Sequence, residues 1–174
     1  MARLILTSTL LVLFILEGTV LQILTPSAWG LSWMAVPRFA LVGAILVAML
    51  LGRREGLFYG LAIGLLQDVL YGQVIGVYAL TMMVACYFAG LAVLLFHRTP
   101  AVLFVTVALV LFGHEWFLYS LFRLFSTFPV DVQWILTKQI LPSVACNLLF
   151  AMLIYLPFSR LCREVALQKN GRHE

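Results

Sequence analysis

From residue 69 to 96 the chain carries no charged side chain, and a second uncharged run extends from 99 to 113. An apolar helix of roughly 20 residues is what a bilayer core demands of a spanning segment. The same feature recurs along the chain, and composition shows that it is general. Of the 174 residues 64% are hydrophobic and 10% charged, with a mean hydropathy of +1.09, against about 25% charged residues in an ordinary soluble domain. So much apolar surface cannot be hidden in one soluble core of this length. A β-barrel would need alternating segments of about 10 residues separated by turns, and that alternation is missing. The sequence therefore predicts an all-α polytopic membrane protein, a single domain over 1–174.

Six spans are expected, at about 4–24, 36–51, 56–71, 74–96, 100–123 and 134–156, with Pro37 opening the second and Pro142 inside the sixth. The second and third are short, so incomplete or tilted spans are expected there. Basic residues set the orientation. With both termini cytoplasmic, Arg3, Arg53, Arg54, Arg98, Arg160, Arg163, Lys169 and Arg172 lie inside and Arg38, Arg123 and Lys138 outside, eight against three. That bias is the positive-inside pattern. It makes the net charge of +4 a statement about topology. No basic stripe suited to nucleic acid exists. Arg53, Arg54 and Arg98 either anchor topology or meet acidic lipid or a cytoplasmic partner. Trp29, Trp33 and Trp134 are expected at the headgroup level.

Other readings of the chain are weaker. The first apolar run is too long for a signal-peptide core, is interrupted by Glu17 and lacks a cleavage site, so it is read as a retained span. Cys86, Cys146 and Cys162 have neither CxxC nor metal spacing and read as reduced packing residues. His97, His114 and His173 lie at different depths, without HxxxH or HExxH, so neither a metal nor a cofactor is expected. No soluble domain is expected at either end, and no GxxxxGK[ST] or GxGxxG occurs.

The segment GLFYGLAIGLLQDVLYGQVIG, residues 56–76, sets Gly56, Gly60, Gly64, Asp68 and Gly72 four residues apart. On a helix such positions form one slanting ridge. Glycines on it admit close approach of another helix, either within the fold or as a docking groove for a partner. Ala85, Ala89 and Gly90 offer a second small-residue surface. Gly72 and Gly76 are expected to bracket a tight outer turn. Asp68 should be paired or should face a polar cavity. Hairpin geometry sets Arg38 level with position 69, which predicts an Arg38–Asp68 ion pair, with direct contact to a ligand or partner as the alternative. At 1.5 Å per residue, Glu17, Asp68, His114, Glu115 and Asn147 fall at one depth, about 20 Å above the inner surface. This polar layer either lines an outward pocket for a small ligand or forms a buried network that fixes helix register.

The run VPRFALVGAILVAMLLGRREGLFYGLAIGLLQDVLYGQVIGVYALTMMVACYFAG resembles the signature region of the rod shape-determining protein MreD family. The likeness rests on Pro37, the turn Arg53-Arg54-Glu55, Gly60 and Gly64, Leu66-Gln67-Asp68, Gly72, Gly76 and Tyr87. It implies a non-enzymatic subunit of the bacterial cell-elongation machinery in the cytoplasmic membrane. Such a subunit acts with MreC, with MreB filaments, and with the RodA glycosyltransferase and its penicillin-binding transpeptidase. The family is similar in fold to the S components of energy-coupling-factor vitamin transporters, which keeps a substrate-binding S component as the alternative. The resemblance transfers no catalytic residue. MreC's single span is expected to pack on Gly56–Gly64 or on Ala85, Ala89 and Gly90.

Overall fold

The computed structural model describes residues 2–23, 34–72, 74–96, 99–125 and 131–170. Among them there is no strand. The helices are α1 (Ala2–Ile23), α2 (Phe39–Leu51), α3 (Arg53–Tyr71), α4 (Val77–Leu95), α5 (Pro100–Phe125), α6 (Val132–Ile135) and α7 (Leu141–Asn170). A π-helical turn, Leu136–Ile140, joins α6 to α7 without a break, so the described residues form six rods. Among the described residues four stretches are long and apolar enough to cross a membrane: Ala2–Thr19, Val77–Leu95, Ala101–Leu124 and Val132–Gln168. The fold is that of a multi-pass membrane protein. Trp29, Trp33, His97, Arg98, Arg172 and His173 lie outside the described residues.

The short second helix is the centre of the molecule. Every residue from Ala40 to Met49 is buried, as expected of a helix that is apolar on all sides. It packs against α1, α3, α4 and α7, and more lightly against α5. Its 13 residues reach only about 20 Å, less than the roughly 30 Å of a bilayer core. Its free N–H groups therefore begin inside protein and must find partners there. The outer faces of α1 and α7 carry exposed leucines such as Leu4, Leu153 and Leu156, the surface that lipid solvates.

Several boundaries depart from expectation: α2 and α4 begin three residues late, at Phe39 and Val77, and two further departures have a local cause. Arg53, Arg54 and Glu55 form the first turn of α3, not a loop, because Gly52 alone reverses the chain at φ +111°, where a side chain would be strained. The sixth rod does not stop near residue 156 but runs through Pro157 to Asn170. Pro142 leaves its mark one turn earlier. It has no N–H for the carbonyl of Lys138, and that carbonyl accepts the N–H of Met34 at 2.7 Å instead. The π turn lies at this point, tying the segment before α2 to the last rod.

Candidate functional site

The start of α2 has no capping side chain of its own. Its partners come from α7, more than a hundred residues on in sequence, and from α1. Ser143 Oγ accepts the Val36 N–H at 2.9 Å. Asn147 accepts the Arg38 N–H through Oδ1 at 2.7 Å and donates from Nδ2 to the Val36 carbonyl at 3.0 Å. Glu17 accepts the Ala40 N–H through Oε2 at 3.1 Å, and Gln67 Nε2 through Oε1 at 2.8 Å. Ser143 and Asn147, four apart on α7, thus act as one clamp, with Glu17 of α1 opposite.

Arg38 is buried at this junction. Its Nε donates to Glu115 Oε1 at 2.6 Å, with both side chains about 5% exposed, and its guanidinium lies 5.4 Å from the centre of the Tyr78 ring. Glu115 bonds the guanidinium, whereas Glu17 accepts at the start of α2, where the positive end of the helix dipole favours an acidic group.

Asp68 does not pair with Arg38. Its Oδ1 and Oδ2 accept the N–H groups of Tyr78 and Ala79, each at 2.9 Å, so it caps α4 from across the hairpin. The predicted ion pair fails because hairpin geometry fixes depth but not direction. Asp68 shares its ridge with Gly60 and Gly64, and α4 covers that ridge. A Cβ on Gly64 would lie 2.5 Å from Ala79 Cα, and one on Gly60 would lie 2.8 Å from the Met82 carbonyl oxygen. Gly56 abuts Ala48 of α2, and a Cβ on Gly90 would lie 2.6 Å from Arg53 Cα. Ala85 and Ala89 are buried too. The ridge Gly56–Gly64, expected as one of two seats for a partner helix, is closed by the chain's own α2 and α4. The turn beyond Asp68 runs from Gly72, which ends α3, to Gly76, which caps α4 at φ +100°.

The structure thus gathers Glu17, His114, Glu115 and Asn147 with Arg38 at the α2 start. Asp68 sits at the neighbouring α4 start, and Tyr78 links the two. Gln67 and Ser143 were missed from sequence. The i, i+4 pairing of Ser143 with Asn147, and the position of Gln67 beside Asp68, were the available signals. His114 is buried, and neither ring nitrogen has a hydrogen-bond partner; Nδ1 lies 3.5 Å from Glu115 Oε1, which Arg38 already holds. Above the layer is a cavity of about 370 Å³ lined by Arg38, Glu115, Tyr71, Tyr78, Tyr119 and Gln139. Of the predicted layer only Glu115 borders it, because Glu17, Asp68 and Asn147 are turned onto backbone groups. At the opposite end Arg53 lies 6.0 Å over the ring of Tyr87, and Arg3 meets Glu55 at 3.3 Å on the surface.

Comparison with known proteins bears on what this frame is for. The family model described as rod shape-determining protein MreD matches residues 2–165. The chain belongs to the MreD family. It is also similar to the rod shape-determining protein MreD of Bacillus subtilis (strain 168), 23% identical over 122 residues, covering 70% of this chain and 71% of that one. No solved structure matches. In this chain Leu66-Gln67-Asp68 and the Gly72/Gly76 turn form one device. Asp68 caps α4 across a glycine turn, and Gln67 ties the same turn of α3 to Glu17.

Proposed function

We propose that this protein is a non-enzymatic subunit of the cell-elongation machinery in the bacterial cytoplasmic membrane, binding MreC directly and regulating the wall synthases. RodA, its penicillin-binding transpeptidase and MreB complete the assembly. The observation that supports this reading best is the chemistry of the polar layer. Glu17, Arg38, Asp68, Glu115 and Asn147 are each engaged in capping a helix or pairing within the bundle. Such a layer fixes helix register and suits a rigid frame on which other membrane proteins assemble. In an S component the same groups would converge on the cavity, and here only Arg38 and Glu115 do.

The test is affinity purification of the tagged protein from native membranes in mild detergent, with mass spectrometry of what accompanies it. MreC and wall synthases are the expected companions. An ATPase with a coupling membrane subunit, or a bound vitamin, would overturn the reading in favour of a transporter.

A further inference from the structure

An apolar groove of about 500 Å³ runs between α4 and α5, with Thr81 and Ala85 on one side, Gly113 and His114 on the other, and Phe88 and Leu109 as exposed walls. Gly113 sets it apart from the rest of the bundle. Gly56, Gly60, Gly64 and Gly90 are each explained by a neighbour that a Cβ would strike, whereas a Cβ on Gly113 would meet nothing within 4 Å. A mid-helix glycine costs about 1 kcal/mol relative to alanine, and nothing among the described residues accounts for it.

His114 supplies the second, independent observation. It borders the groove, its side chain is 0% exposed, Nδ1 has only Glu115 Oε1 at 3.5 Å beside it, and Nε2 has no hydrogen-bond partner among the described residues. An unpaired imidazole in apolar surroundings is costly. A lipid chain would fill the groove but has no donor or acceptor to offer. A lone water would need two to four polar partners, and the groove offers few: Thr81 Oγ1 already donates to the Tyr78 carbonyl at 3.1 Å. A transmembrane helix can both fill the space and pair the ring. Small residues at a crossing allow backbones to approach, and hydroxyl or carboxamide side chains bond across helices in membranes.

We propose that the α4–α5 groove seats one transmembrane helix of a partner protein, packed over Gly113 and presenting a hydroxyl or carboxamide side chain to His114. The proposal rests on the reading of the chain as a subunit that binds a single-span partner, and it locates that contact away from the closed glycine ridge.

The test uses the full-length protein co-expressed with MreC. A photoreactive benzoylphenylalanine in place of Phe88, an exposed wall of the groove, is expected to form an adduct with the partner's membrane span. Adducts with lipid alone, or with a second copy of the chain, would overturn the proposal. Gly113→Leu fills the groove and should lower co-purified MreC about tenfold. His114→Leu should lower it about threefold to tenfold, the worth of one interhelical hydrogen bond, while leaving the melting temperature of the chain alone unchanged or higher. Leu153→Phe, on the exposed face of α7, serves as the control for a bulky lipid-facing change. Undiminished MreC with a folded Gly113→Leu variant would refute the groove and leave the proposed function standing. Absence of MreC from the wild-type purification would refute the proposed function itself.

Discussion

Asp68→Ala tests the α4 cap most directly. Asp68 is 1% exposed and accepts two backbone N–H groups at 2.9 Å, one on each oxygen. A hydrogen bond to a charged group contributes about 1.5–3 kcal/mol, and caps measured at exposed helix starts contribute about 0.5–2 kcal/mol. Removing the side chain strands two N–H groups away from water, so the α3–α4 hairpin should lose about 3 kcal/mol. Asp68→Asn keeps one acceptor and turns an NH₂ toward the other N–H, so about half that loss is expected. The readout is Cys86, which is fully buried on α4 with its Sγ beside Gly60. With Cys146 and Cys162 replaced by alanine, the rate at which a fluorogenic maleimide labels Cys86 reports opening of the hairpin. A loss of about 3 kcal/mol accelerates labelling about a hundredfold where closing outpaces labelling. A rate for Asp68→Ala within about threefold of wild type would refute the cap.

Three further outcomes are expected. Glu115→Ala leaves a buried guanidinium without its anion and should destabilise the bundle by about 3–5 kcal/mol, read as a lower midpoint in detergent thermal denaturation; an unchanged midpoint would mean that Arg38 finds another partner. Gly64→Ala pushes a methyl against Ala79 and should cost about 1–3 kcal/mol, while Gly113→Ala, facing open space, should be neutral or stabilise the isolated chain by about 1 kcal/mol; the reverse order of melting temperatures would contradict the packing described. Cysteines placed at Arg54 and at Trp134, both exposed, should react with an impermeant maleimide from opposite sides of the membrane, Trp134→Cys from outside whole cells; labelling of both from one side would rule out the six-span orientation.

Sequence carried the depth of things better than their direction. Charge-free runs gave the helices, and the rise per residue brought Glu17, His114, Glu115 and Asn147 to one level, where the structure clusters them. What could not be read was which way each side chain points around its helix. Arg38 and Asp68 are level and yet turn to different partners. The glycine ridge held part of the answer, because a carboxylate on the same ridge as Gly60 and Gly64 must face whatever those glycines contact. The start of α2 was less legible, since Asn147 reaches Arg38 across 109 positions of sequence and no local pattern announces a cap supplied from so far away. Pro142 was visible as a disturbance in the sixth span, but not that the carbonyl it frees would hold Met34.

That distant cap bears on how the molecule is made. The ribosome delivers α2 long before Ser143 and Asn147 exist, a lag of about 5–20 s at ordinary rates of synthesis. During that interval the Val36 and Arg38 N–H groups have no partner from α7, and for the first part of it Arg38 has no anion from α5. The central helix must therefore wait at the edge of the bilayer or in the shelter of the insertion machinery. The bundle closes only when its last rod arrives, so a chain halted before α7 should be handed to proteolysis with its innermost element still outside.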